Sequence, residues 1–283
     1  AELALVKLDP IKKTLAHYQP TIAKLVPKHI DASQLMRVVW TALTATPKLA
    51  DCTPVSIVRA TVQAAMLGLI PNDGRGLAYL IPYKRWDPTL RKDVMEAQFQ
   101  PGYRGLEALA YQSGAVRSIR GRAVHDGDRF DYEDGLVQIL RHRAAPAPAV
   151  DATGAEVRAL THAFAVAAIT NGDPVAEVME RWELDYIMRK SQAWQGAEKE
   201  WDGKPPRRDS PWHTWYPRMA IKTVIKRLTK NLPVATDRMM PLSRAIELDD
   251  QAESGGVQIL AVPSAAGNAI ADIVRVDHSF GTP

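Results

Sequence analysis

Apolar positions in the first seventy residues recur at helical spacing. The opening "AELALVKLDPIKKTLAHY" reads as a short amphipathic helix. Ser33 can cap a second helix, whose Leu35, Met36, Val39, Trp40 and Leu43 share one face. A third, "VSIVRATVQAAML", is bracketed by Thr53 as N-cap, Pro54 at the first helical position and Gly68 as the stop. From 71 to 180 the period shortens. "LAYLIPY" (77–83) and "VMEAQFQ" (94–100) read as strands joined by the polar loop "KRWDPTLRKD". "PGYRGLEALAYQSG" reads as a tight turn and a short helix, with Leu106, Leu109 and Ala110 inward and Gly114 as terminator. "VRSIRGRAV", "GLVQILRH" and "LTHAFAVAAIT" are three further strands, with "AAPAPAV" an exposed connection and "NGDP" (171–174) a turn. "MERWELDYIMRKSQAW" and the basic segment after Ser210 are helical, separated by the polar "GAEKEWDGKPPRRDS". The pattern fades after Leu242. These elements predict an α+β fold, a small, mostly antiparallel sheet packed by helices. Residues 1–242 form its body and 243–283 a flexible tail.

Charge sharpens that division. The chain of 283 residues carries a net +4. From Ser243 onward two arginines stand against six acids, leaving the tail at −4 and the body at +8. A basic body with an acidic tail suits a polyanionic partner. Cys52 is the only cysteine, so neither a disulfide framework nor a thiolate metal site is expected. Nothing resembles a signal peptide, and no run reaches the roughly 18 apolar residues of a membrane span. The expectation is a soluble, cytoplasmic protein.

The parts of the common enzymes are missing. There is no phosphate loop, and "GRG" at 74–76 lacks the third glycine of a dinucleotide fingerprint. There is no G-x-S-x-G elbow and no H-E-x-x-H pair among the seven scattered histidines. The acidic stretch "HDGDRFDYEDG" (125–135) places Asp126, Asp128 and Asp131 at spacings reminiscent of a calcium loop, but its glycine and glutamate are misplaced. Turn-forming acids at a hairpin tip explain it at least as well. No catalytic residue, no metal site and no ATP are expected; a divalent cation such as magnesium enters only as a modulator.

The positive signal is "SPWHTWYPRMAIKTVIKRLTKNLP". Arg218, Lys222, Lys226 and Lys230 fall at four-residue steps, which advance only about 40° around a helix axis. Ile221, Val224, Ile225 and Leu228 form a separate, buried stripe. Like charges at this spacing repel by a few tenths of a kcal/mol per pair. The bland reading is a solvated face. The alternative is a phosphate-binding row beside the stackable rings Trp212, Trp215 and Tyr216, which is what single-strand binding requires.

Taken in order, "TPVSIVRATVQAAMLGLIPN", "AYLIPY", "FQPGYRGLEALAYQSGAVRSIRGRAVHDGDRFDY", "RKSQAW" and "SPWHTWYPRMAIKTVIKRLTKNLP" resemble the RecT family of phage recombination proteins over roughly residues 30–240. Arg104 stands where that family commonly has lysine. The resemblance implies a Redβ/Rad52-like annealing fold, ATP-independent annealing of single-stranded DNA in a bacterial host cell, and assembly into rings or helical filaments. A passive coating protein, which binds strands without pairing them, is the alternative; a nuclease is disfavoured by the missing carboxylate cluster.

Lys222, Lys226 and Arg218 are the leading phosphate contacts, followed by Arg227 and Lys230. Tyr103 and Arg104 sit at a glycine-flanked turn where a ligand can approach the backbone. Gln98 and Gln100 alternate to one face of the strand leading there. Trp212 is a candidate for base stacking or a packing anchor, and Lys190, Arg207 and Arg208 are candidates beside the basic helix. Lys84 and Arg85 are read as serving neighbouring subunits, with exposed Leu3, Leu5 and Leu8 as further subunit contacts. The expected partners are single-stranded DNA, the annealed duplex intermediate and further copies of the chain, with the tail recruiting a host single-strand binding protein.

Overall fold

Two prolines fail to break the first helix. In the computed structural model, which describes residues 2–254 except 29, 88–89, 136–137, 150, 152–156, 201–202 and 233–236, α1 runs Glu2–Leu25 through Pro10 and Pro20. An interior proline costs a helix roughly 3 kcal/mol. Here burial of Leu8, Ile11, Leu15 and Ile22 against neighbouring helices opposes that cost. Leu8 is therefore a core residue, not the exposed subunit contact expected; the side chains of Leu3 and Leu5 lie outside the described residues. Then follow α2 (Ala32–Ala45), α3 (Pro47–Ala50) and α4 (Pro54–Leu67). The cap of α2 is Asp31, whose carboxylate accepts from the Ser33 amide, rather than Ser33 itself. The brackets of α4 are those read from sequence: Thr53 Oγ1 accepts from the Ser56 amide, and Gly68 closes the helix at φ +65°. α4 is buried nearly all round, and its Ser56 Oγ accepts from the Ala97 amide of the following hairpin.

That hairpin is longer than the apolar runs suggested. β1 (Ala78–Asp87) pairs antiparallel with β2 (Lys92–Pro101), taking in most of the expected polar loop. The polar residues stay in the ladder because their charges are matched across it. Lys84 pairs with Asp93 at 2.7 Å and Arg85 with Glu96 at 2.8 Å. These cations, expected to serve neighbours, are thus engaged within the chain. Cys52 is buried, and burial, with Asp51 and Glu96 nearby, pushes its thiol up to about 12. It is chemically inert at neutral pH.

α5 (Tyr103–Gln112) leads into β3 (Val116–His125), β4 (Arg129–Glu133), β5 (Ile139–Arg143), β6 (Leu160–Ile169) and β7 (Val175–Glu180). The order β3-β6-β7 makes an antiparallel three-stranded sheet, and β4 and β5 form a separate hairpin. β4 lies inside the acidic stretch, and β7 follows directly on "NGDP"; neither was expected from the pattern. The chain ends in α6 (Arg181–Lys190), α7 (Gln192–Glu198), α8 (Pro211–Thr214), α9 (Tyr216–Lys230), a 3-10 turn at Asp237–Met239 and α10 (Met240–Glu253). The α+β class holds.

Contacts divide the chain into two units, Ala1–Gly105 with Glu247–Pro283, and Leu106–Ile246. A boundary at Leu242 would cut α10 in its first turn, although Leu242, Ala245, Ile246, Leu248 and Ala252 are all buried. The acids there mislead because they share the helix with these apolar positions, and even Asp249 is buried. The flexibility expected of the remaining tail concerns residues 255–283, outside the described ones.

Candidate nucleic-acid interface

Gly121 in β3 explains how the basic helix is seated. α9 lies on the β3-β6-β7 sheet, and a Cβ at position 121 would stand 2.7 Å from Ile221 Cγ2 and 3.0 Å from Ile225 Cδ1. The absent side chain lets the helix approach closely, and Ala220, Val224, Ile225 and Leu228 are buried there. This closeness decides the fate of the cationic stripe. Lys222 and Lys226 are only 8% and 7% exposed, and each engages a partner. Read from periodicity as the leading phosphate contacts, or blandly as a solvated face, both lie instead against the sheet, out of open solvent. A buried ammonium persists only when paired, while its aliphatic stem packs like any apolar chain. Arg218 and Lys230, at the two ends of the stripe, are exposed.

Arg227 is exposed in part but restrained, its guanidinium 2.7 Å from both Glu177 of β7 and Glu183 of α6. Among the described residues Arg218 meets no such carboxylate; its guanidinium lies over the Trp215 ring, 4.6 Å from the centroid, and that ring is 52% exposed. Trp212 is instead buried at 3% and meets Tyr216 edge-on, so it anchors α8 and cannot stack a base in this conformation.

α6 completes this side. Arg181 stacks on the Tyr216 ring at 4.2 Å and bonds Asp185, which also accepts from the Tyr216 hydroxyl at 2.7 Å. With Arg181, Leu184, Asp185 and Met188 turned inward or to α9, the opposite face shows Trp182 at 66% and Tyr186 at 55% exposure. Lys190 follows at the next four-residue step, its ammonium 4.2 Å from the Tyr186 ring centre. These rings escaped the sequence reading, because aromatics four apart on a helix more often mark a core face. The flanking residues Arg181, Asp185, Arg189 and Lys190 were the available signal.

Between α7 and α8, Ser210 Oγ lies 2.7 Å from His213 Nδ1, and His213 Nε2 lies 2.7 Å from Glu198. The chain of groups resembles a nucleophile relay, but the serine is buried and the imidazole is stacked flat on Trp194 at 4.0 Å. It fastens the loop. Arg208 joins the same Glu198 at 3.4 Å, and Arg207 lies 3.8 Å from Asp209; both arginines are exposed.

Of the remaining candidates, Tyr103 and Arg104 belong to the first unit. Arg104 donates to the Arg75 carbonyl at 3.3 Å, and a Cβ on Gly102 would strike the Gly76 carbonyl, so the turn is tightly closed. Gln98 is buried, and only Gln100 is partly open. The candidates thus divide between the units. The acidic stretch holds no cation-binding cluster among the described residues. Asp128 accepts from the amides of His125 (3.0 Å) and Ala145 (2.9 Å), from Arg158 (2.8 Å), and lies 3.0 Å from His142 Nε2. It is a buried knot tying β3 to the β4-β5 hairpin.

Residues 33–258 match the RecT family. The chain belongs to that family. It is 34% identical to Protein RecT of Escherichia coli K12 over 231 residues, which are 81% of this chain and 76% of the relative. It is also 25% identical to the uncharacterized protein YqaK of Bacillus subtilis 168 over 201 residues, 71% of this chain and 58% of that one. The match takes in α9 and the Trp215–Arg218 stack as well as α6. Among the described residues no helix is long and apolar enough to cross a membrane.

Proposed function

We propose that this RecT-family chain is a recombination protein that binds single-stranded DNA and anneals it to a complementary strand without nucleotide hydrolysis. The observation that supports this most is the exposed Trp215 ring carrying Arg218 at the outer end of the basic helix. A ring gives any base a π-face worth about 1–3 kcal/mol in stacking, and a guanidinium without a carboxylate can take a phosphate. Arg218, Lys230, Lys190, Arg207 and Arg208 contact phosphates, with Tyr186 and Trp182 as further platforms. Lys222 and Lys226 hold α9 in place, and Tyr103, Arg104 and Gln100 form a second group in the other unit. With the strand held by its backbone, the pairing edges stay open, and each base-pair step formed contributes about 1.4 kcal/mol. A chain of this size covers few nucleotides, so several copies act side by side within the bacterial host cytoplasm.

The test is the pairing rate of two complementary oligonucleotides without ATP, followed by fluorescence across protein concentrations, with particle size measured alongside. Pairing should accelerate with assembly, and Trp215→Ala with Arg218→Gln should weaken it about tenfold or more. Binding without acceleration would make this a passive coating protein, and a requirement for ATP would overturn the mechanism.

A further inference from the structure

The opposite face of the β3-β6-β7 sheet carries a second cationic surface. Strand alternation that points Gly121 at α9 points its neighbours Arg120 and Arg122 to the other side, and both are exposed. On that side the β4-β5 hairpin covers part of the sheet, with Phe130 stacked on Phe164 at 5.8 Å and His142 edge-on to Phe164 at 5.4 Å. Arg122 is paired in register with this same Phe164. The Asp128 knot holds the hairpin's base to the end of β3, so Arg129 and Arg143 lie at the end of the hairpin nearest that strand.

The hairpin's outward face is unusual in its pairing. Arg129 stands directly across from Arg143, and like charges so placed are destabilising. Asp131 stands across from Arg141 at mid-hairpin and Glu133 lies beyond it toward the turn, so the base carries two arginines, the middle one of each sign and the turn end an acid. Arg120, Arg122, Arg129, Arg141 and Arg143 are exposed, and among the described residues none forms an ion pair with a carboxylate. Among the described residues the one polar contact of these side chains is local, Arg122 to the Gly121 carbonyl.

We propose that this arginine face is a second phosphate-binding surface, whose occupant is the backbone of a single strand of nucleic acid. Charge complementarity carries it: five planar cations sit on the sheet and hairpin, two of them opposed in register, with Asp131, across from Arg141, and Glu133 the two acids on the hairpin's outward face. The paired donors of a guanidinium match phosphate oxygens, and contacts to phosphate carry no sequence information, so a strand held by its backbone is gripped without being read. The inference rests on the proposed annealing function and adds a place for DNA on the side of the sheet away from Trp215 and Arg218.

The experiment uses the full chain and a single-stranded oligonucleotide, with affinity measured across salt concentration for the wild type, Arg120→Gln/Arg122→Gln/Arg141→Gln/Arg143→Gln, and the same four positions changed to lysine. All four side chains are exposed, and melting curves verify folding. Loss of four phosphate contacts should lower the slope of log affinity against log salt by about 3, at roughly 0.7 per contact on single strands, and lysine should restore most of it. An unchanged slope in a folded glutamine variant, beside a wild type that binds, would overturn this inference alone. A wild type that binds no single strand would overturn the functional proposal as well.

Discussion

Replacing Asp128 by Asn changes almost no volume and removes one charge, yet should be among the most damaging substitutions in the second unit. The carboxylate is 1% exposed and collects four donors, two of them backbone amides and one an arginine. An asparagine offers one acceptor oxygen, and its NH2 group would face donors that need an acceptor. Charge-assisted bonds are worth about 1.5–3 kcal/mol each, and a buried donor left unmade costs about 1–3 kcal/mol. Allowing for relaxation and non-additivity, Asp128→Asn should cost about 2–4 kcal/mol at pH 7. With a urea dependence of about 1–3 kcal/mol per molar, the midpoint followed by tryptophan fluorescence should fall by roughly 1 M or more.

The pH dependence gives an independent check on the same residue. Burial alone would raise the Asp128 carboxyl, but the bonds from Ala145, His125, His142 and Arg158 outweigh it and hold the group well below the ordinary carboxylate range. In the unfolded chain it titrates near 3.9. A depressed folded value means the stabilisation is fully present above about pH 5 and is lost as pH falls toward the folded value. The difference between wild type and Asp128→Asn should therefore shrink on acidification from pH 7 to pH 3. A variant within 0.5 kcal/mol of wild type at pH 7, or a difference that does not change with pH, would refute the assignment of Asp128 as a satisfied anion.

Gly121→Ala should destabilise by about 1–3 kcal/mol in thermal melts, because its methyl meets Ile221 and Ile225 and must push α9 off the sheet. Replacing buried Lys222 and Lys226 by Ala should lower the melting temperature by several degrees, whereas exposed Arg218→Gln should leave it unchanged. A chain ending at Leu242 loses the buried Ala245, Ile246, Leu248 and Ala252 and should unfold more readily or aggregate on gel filtration. One ending at Ser254 keeps α10 and should melt like the full chain.

Local signals were readable where one residue sets the geometry. Thr53, Pro54 and Gly68 framed α4 because a cap, a fixed φ and a left-handed stop act within a few residues. The hairpin of β1 and β2 was legible as strands but not in extent, since Lys84 and Arg85 belong to it only through Asp93 and Glu96 on the other strand. The short β7 was lost against α6, which begins at the next residue and shares its acids. Of the candidate site, the helix and its register were legible, while the burial of Lys222, Lys226, Gln98 and Trp212 was not. Burial depends on what packs from elsewhere, and the glycine that admits α9 to the sheet lies about a hundred residues upstream of it.

Charge loss on α9 acts through both the fold and the exposed surface. Four cations at equal spacing invite the view that each contributes equally to a polyanion, yet the two central ones are buried with partners and the outer two are exposed. Removing a buried lysine strands its partner, so lost DNA affinity in such a variant mixes a fold defect with a lost contact. Exposed Arg218 separates the two effects. Arg218 rests on a ring that is itself half open, so its removal costs little packing and its effect on the salt dependence counts phosphate contacts directly. A stripe whose centre is buried against the sheet holds the two exposed cations at its ends at a fixed separation. Under the proposed function, the periodicity that drew attention to α9 serves the fold at two positions and the ligand at the other two.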